Sequence, residues 1–149
     1  MSNFKSIKIN DKKVSITSPK VAYSYRIGMV HQHFKLVDVF TATENVALGM
    51  DKKVTGRRNK IAKDVQEICD RYGFDVKPDQ KVYNMSVSQK QTLEIVKALY
   101  RGAELLILDE PTAVLTPQES DKLFSILRTM KEEGKSVILI THKLNEVLS

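Results

Sequence analysis

Leu105-Leu106-Ile107-Leu108-Asp109-Glu110-Pro111-Thr112-Ala113 is the stretch that decides the fold. Leu105 to Leu108 has strand length and is apolar at every position, the pattern of a central parallel strand buried on both faces. Asp109 and Glu110 then fall at the C-terminal edge of the sheet, where open α/β sheets bind their ligands. Downstream, Thr116-Pro117-Gln118-Glu119 reads as a helix start, with Thr116 as cap, Pro117 at the first helical position and Glu119 completing a capping box. That helix carries Leu123, Phe124, Ile126, Leu127 and Met130 and stops at Gly134. Val137 to Ile140 reads as a second buried strand. Strand, turn, helix, strand is the grammar of a parallel α/β sheet.

Upstream, Ser6 to Asn10 and Lys13 to Ile16 alternate polar and apolar residues around Asn10-Asp11 and read as a hairpin. Ser18-Pro19 opens a short helix, and Ile27 to His31 is a strand. From about Phe34 to Arg101 the pattern is mainly helical. Asn59 is placed to cap a helix with Ile61, Val65, Ile68, Cys69 and Tyr72 on one face, and Gly73 ends it. Asp75 to Tyr83 reads as loop. Ser86 to about Tyr100 is the next helix, stopped by Gly102, and a further helix begins at Lys143. The expected organisation is one partial domain, with residues 1–33 and 102–149 as its α/β core and 34–101 as an inserted, mainly helical part.

The 149 residues are 42% hydrophobic and 28% charged, values of a soluble globular chain. One cysteine, Cys69, permits no internal disulfide and points to a reducing compartment. No apolar run approaches the roughly 18 residues that span a bilayer. Met1-Ser2-Asn3-Phe4-Lys5 lacks the apolar core of a signal peptide. A cytoplasmic protein is expected, with any membrane link supplied by a partner. The net charge is +6, but the densest basic stretch (Lys52, Lys53, Arg57, Arg58, Lys60 and Lys63) has no interleaved aromatics. It reads as a solvated face, and no nucleic-acid partner is expected.

The chemistry sits in four places. Asp109 and Glu110 occupy the position at which P-loop ATPases place an Mg²⁺-holding aspartate and a water-polarising glutamate. Gln32 closes the short strand Gly28-Met29-Val30-His31. Met85-Ser86-Val87-Ser88-Gln89 opens a helix, and His142 follows the strand that ends at Ile140 and Thr141. Each has a plain alternative: Ser86 to Gln89 is also an ordinary capping box, and His142 is also a histidine at a strand end. His31 and His33, two apart on a strand, are a poor metal pair. Taken in order and spacing, with Gln89 lying 20 residues before Asp109, they resemble the ABC ATPase family. HQHFKLVDVFTATENVALG, ending at Gly49, and LDEPTAVLTPQE, from Leu108 to Glu119, resemble the ATP-binding subunits of simple-sugar and nucleoside importers. The resemblance covers nearly all of the chain. It corresponds to the first of the two ATPase halves those subunits usually carry, from just after the phosphate loop to just past the switch histidine.

What the resemblance implies is a partial P-loop NTPase core with a parallel sheet and an inserted helical subdomain, using ATP and Mg²⁺. Asp109 and Gln32 would hold the metal through water, Glu110 would be the base, and His142 would meet the γ-phosphate. Ser86, Val87, Ser88 and Gln89 would face the ATP bound on a second ATPase domain. Phe34 to Thr41 would face transmembrane permease subunits served by a solute-binding lipoprotein, placing the chain at the inner face of the membrane. The pattern departs from the family in several places. Ser88 replaces a signature glycine, Thr92 stands where arginine is frequent, and Thr116 replaces the usual aspartate. G-x-x-x-x-G-K-[ST] does not occur: Gly134-Lys135-Ser136 has Thr129, not glycine, five residues before it, and it leaves a helix for a strand, the reverse of a phosphate loop. The expectation is a truncated chain that neither binds nor hydrolyses ATP alone. The competing readings are an ABC-type ATPase of DNA repair or translation and a basic nucleic-acid-binding module. Only 53 residues separate Gln32 from Met85, with no sustained heptads, against the coiled-coil repair class.

Overall fold

The computed structural model describes residues 6–51, 53 and 57–143. β1 (Ile7–Ile9) and β2 (Lys12–Val14) pair antiparallel with Ile9 opposite Lys12. Their two-residue turn places both Asn10 (φ 49°) and Asp11 (φ 63°) in the left-handed region, which is what a tight hairpin turn requires and what Asn and Asp tolerate best. α1 (Pro19–Ser24) starts as its sequence demands, with Ser18 Oγ accepting the Val21 N–H at 3.3 Å.

β3 (Ile27–Val30), β4 (Leu105–Asp109) and β5 (Ser136–Ile140) form a parallel sheet in the order β3-β4-β5, with β4 in the centre. Val30 lies opposite Leu108, and Asp109 opposite Ile140. The strand expected to run to His31 ends one residue sooner. One face of β4, Leu106 and Leu108, is fully buried; each such leucine contributes roughly 1.5–3 kcal/mol by burial. The opposite face, Leu105 and Ile107, is only half-buried. The expectation of a strand buried on both sides therefore holds for one side. β5 departs further: Ile138, Leu139 and Ile140 are 48%, 36% and 43% exposed, so the second strand is not buried. Among the described residues it pairs with β4 alone. Apolar composition states what a strand tolerates, not what lies against it.

The helical part consists of α2 (Ala42–Ala47), α3 (Arg58–Tyr72), a 3₁₀ turn (Val82–Asn84) and α4 (Val87–Tyr100). α3 begins at Arg58, so Asn59 lies inside the first turn and does not cap it. The start is held instead by the Arg57 carbonyl, which accepts from Lys60 and Ile61. Gly73 closes α3 at φ 68°, as expected. Ile61, Val65 and Cys69 form its buried stripe. Burial pushes the Cys69 thiol up to about 11, which makes it an inert core group. α5 (Pro117–Glu132) opens with the expected capping box between Thr116 and Glu119 and packs Leu123, Leu127 and Met130 inward. The helix expected from Lys143 onward lies outside the described residues.

β3 and α4 approach closely because position 28 is glycine. A Cβ there would stand 2.9 Å from Ala98 Cβ and 3.0 Å from Ala103 Cβ. The capping box of α2, Thr41 with Glu44, is the same Thr-x-x-Glu device as at Thr116, at a helix start not singled out from the sequence. Glu44 Oε2 accepts the Thr41 N–H at 2.8 Å. That hydrogen bond, helped by Lys81, holds the Glu44 carboxyl below its ordinary value. The folded-state value is depressed, so the stabilisation is fully present above the unfolded carboxylate value and is lost as pH falls through the folded one. Glu44→Gln should therefore flatten the decline in urea midpoint between about pH 6 and about pH 3 while changing neutral stability by less than about 1 kcal/mol. An undiminished acid slope in the variant would assign that slope to other carboxylates.

Candidate functional site

The parallel sheet gathers most of the singled-out residues at one edge. Val30 and Leu108 are paired, as are Leu108 and Leu139, so the chain leaves all three strands at the same level. Asp109 is the last residue of β4, and Gln32, Glu110 and His142 follow within two residues of the three strand ends. Gln32 is exposed, Asp109 is half-buried and His142 is exposed.

Glu110 is the constrained member. Its φ is 47°, one of four positive values at non-glycine positions among the described residues. An L-residue in that region costs about 1–2 kcal/mol. The conformation is imposed by β5: the Glu110 N–H donates to the Ile140 carbonyl at 2.8 Å, and the turn continues with Ala113 N–H to Glu110 O at 3.3 Å. The result aims the Glu110 side chain across the sheet edge, where Oε1 stands 3.2 Å from His142 Nε2. That contact has ion-pair distance without hydrogen-bond alignment, so Glu110 Oε1 remains buried with no hydrogen bond. A buried carboxylate oxygen left unsatisfied is destabilising, and strain plus an unsatisfied oxygen at one residue is what reactive positions retain. Lys143 Nζ donates to the carbonyl of buried Thr112 at 3.0 Å, tying the segment after β5 to the turn after β4. No local pattern around Lys143 or Thr112 signals that tie.

The start of α4 lies elsewhere. Ser86 Oγ accepts the Gln89 N–H at 3.1 Å, and Gln89 Oε1 accepts the Ser86 N–H at 3.0 Å. Gln89 Nε2 also donates to the Asp75 carbonyl at 2.7 Å. The Gln89 side chain is thus committed to the helix start and to the loop after α3. Val87 is 43% exposed at the first helical position. Ser86, Ser88, Gln89 and Thr92 line a cavity of ≈ 310 Å³ with Asp75, Glu119 and Lys122, and none of Gln32, Asp109, Glu110 or His142 borders it. Within one chain, the fold brings Gln32, Asp109, Glu110 and His142 to a common edge and leaves the Ser86 helix start apart from them.

Gly134 has φ 90° and follows the C-terminal turn of α5, and Ser136 is the first residue of β5. Gly134-Lys135-Ser136 is therefore a helix stop, as the sequence indicated. Among the described residues no three His, Cys, Asp or Glu side chains are grouped to hold a metal ion, and no helix is long and apolar enough to cross a membrane. The acidic pair at the strand edge, Asp109 and Glu110, does not form a cage that could grip a metal alone.

The model of the family described as ABC transporter matches residues 4–113. The chain is 49% identical over 143 residues to the nucleoside import ATP-binding protein NupA of Lactococcus lactis, covering 95% of this chain and 28% of that protein. It is 51% identical over 134 residues to the guanosine import ATP-binding protein NupO of Bacillus subtilis, covering 89% and 26%. The chain thus spans little more than a quarter of the length of these curated relatives. A solved nucleotide-free ATP-binding cassette from an ABC transporter superposes with a TM-score of 0.82 at 20% identity, over 99% of this chain and 63% of that one. This likeness establishes the shared fold.

Proposed function

This chain belongs to the ABC transporter family, and from that premise we propose that it is part of the ATP-binding subunit of an importer of nucleosides or simple sugars. The observation that carries the reading is the strained Glu110, aimed across the sheet edge at His142 with one buried carboxylate oxygen unsatisfied. The names of its relatives NupA and NupO supply the solute class.

In this reading Asp109 and Gln32 would hold the metal through water, and Glu110 would take the proton from the attacking water. His142, on the exposed side of Glu110, reaches the terminal phosphate. Bound Mg²⁺ supplies neutralisation of the charge that develops on the phosphoryl group. The Ser86 helix start, with Val87 and Ser88, presents N–H groups to a phosphate held on a second ATPase domain, which agrees with its separation from the Glu110 edge. Gln89 belongs to the same nucleotide-facing helix start, and its side chain also holds that start in shape. The partners proposed are that second domain, permease subunits reached through residues 34–41, and a solute-binding lipoprotein beyond them. The work would take place at the inner face of the membrane.

The backbone cradle and lysine of a phosphate loop supply most of the grip on the phosphates, and the sequence G-x-x-x-x-G-K-[ST] does not occur in these 149 residues. Calorimetric titration of Mg-ATP into this chain should therefore give no heat of binding up to about 1 mM, equivalent to less than about 4 kcal/mol of affinity. Micromolar binding would mean that phosphates are held by another arrangement, and the roles of Asp109, Glu110 and the Ser86 helix would have to be redrawn.

A further inference from the structure

We propose that Glu94 and Lys97 of α4 are positioning residues that clamp both peptide groups of Lys35, so that the segment following Gln32 and the helix opening at Ser86 move as one body. Glu94 Oε1 accepts the Lys35 N–H at 3.1 Å, and Lys97 Nζ donates to the Lys35 carbonyl at 3.1 Å. The two side chains stand 3.6 Å apart, with only 6% and 13% of their surfaces exposed. They are three positions apart on one helix and so share a face. A residue held at both its N–H and its C=O by one helix cannot slide along that helix without breaking both bonds. Lys35 is itself exposed, so the grip falls on its backbone.

The choice of residues supports a geometric role. Apolar side chains of similar volume often stabilise a core as well as or better than a buried ion pair, whereas a pair fixes one arrangement. Burial pushes the Lys97 ammonium down while Glu94 pulls it back up, so the pair is held at the cost of desolvation. The same face of α4 continues to Arg101, which donates to the Leu48 carbonyl after α2 and lies 5.2 Å over the Tyr23 ring of α1. α4 and its C-cap residue thus carry a charged stripe, Glu94, Lys97 and Arg101, that registers three separate segments. Gln32 lies three residues from the clamped Lys35, and among the described residues no hydrogen bond holds its own side chain. Its reach is set by where Lys35 is fixed.

The significance of Gln32 rests on the function proposed above, but the clamp does not, and its test uses no nucleotide. A failed ATP titration would leave it standing. Residue-resolved amide exchange would be followed on the 149-residue chain together with urea midpoints, for Glu94→Ala, Glu94→Gln and the Glu94→Gln/Lys97→Met double variant. Glu94→Ala should accelerate exchange of Lys35 and its neighbours 33–37 by about tenfold beyond what the midpoint change accounts for, with α5 and the sheet unaffected. Glu94→Gln, which keeps an oxygen acceptor, should recover most of the protection. If Glu94→Ala does not fold, the double variant decides: it is close to isosteric, keeps the acceptor and loses the donor, and should still accelerate 33–37 selectively. Unchanged exchange at Lys35, or uniform acceleration that tracks the midpoint, would reduce the pair to ordinary core residues and overturn the proposal.

Discussion

Asn45→Ala should destabilise the chain by about 3 kcal/mol, a fall of roughly 1–2 M in urea midpoint, because it removes three hydrogen bonds at once and leaves the Val37 N–H without its partner. Asn45 is completely buried in α2. Its Oδ1 accepts the Val37 N–H at 2.8 Å, and its Nδ2 donates to the carbonyls of Val37 and Thr41, both at 3.1 Å. The Val37 and Thr41 carbonyls keep the N–H groups of Phe40 and Asn45, so each of those two lost amide bonds costs about 0.5–1.5 kcal/mol and the unpartnered Val37 N–H about 1–3 kcal/mol, less what hydration of the vacated space recovers. Asn45→Asp is the sharper companion. It keeps the acceptor for Val37 N–H but turns a donor into a buried charge facing two carbonyls, so it should cost at least as much as alanine at neutral pH. A loss below about 1 kcal/mol in Asn45→Ala would show that residues 35–41 are shaped from elsewhere. The prediction bears on function because this segment leads from Gln32 toward the surface proposed to meet the permease.

Gly28→Val should cost about 3 kcal/mol by overpacking, with Gly28→Ala at about 2 kcal/mol. A Cβ at position 28 meets Ala98 Cβ at 2.9 Å, Ala103 Cβ at 3.0 Å and Leu106 Cδ2 at 3.4 Å. Two of these three atoms are alanine Cβ atoms, which have no rotamer to give way, and all three residues are buried at 1% exposure or less. Replacing a strand glycine would otherwise be favourable by about 0.5–1 kcal/mol through the unfolded chain, so the clash must exceed that gain for the sign to hold. The double variant Gly28→Ala/Ala98→Gly should recover most of the loss at the Ala98 contact. It should still fall short of the wild type because Ala103 remains and α4 acquires an interior glycine. Thermal or urea unfolding of the four proteins closes the cycle, and additive single losses would place the strain elsewhere than at the β3–α4 contact.

Much of the local structure was legible in the sequence because its causes are local. Asn10-Asp11 makes its turn, Ser18-Pro19, Ser86 and Thr116 start their helices, and Gly73 ends one, each through atoms within four residues. The order of Gln32, Ser86, Asp109, Glu110 and His142 was likewise legible, and a parallel sheet that turns at fixed strand ends must bring all of these but Ser86 to its edge. Asn59 misled because a residue with capping chemistry need not be used when the chain enters the helix two residues earlier, at Arg57.

What the sequence determined by itself was the α/β class, the helix starts at Ser18, Ser86 and Thr116 and the family's motif order, all set by short-range hydrogen bonding and by strict spacing. Only the tertiary structure decided that Glu110 is strained against Ile140 and aimed at His142, that Gln89 is taken up by Asp75, and that Lys35 and Val37 are gripped by Glu94, Lys97 and Asn45. It also decided that β5 is exposed while β4 is buried on one face. The physical reason is the same in each case. A hydrogen bond or a buried face joins residues many positions apart, and the identity of a side chain does not say which distant backbone will be folded against it.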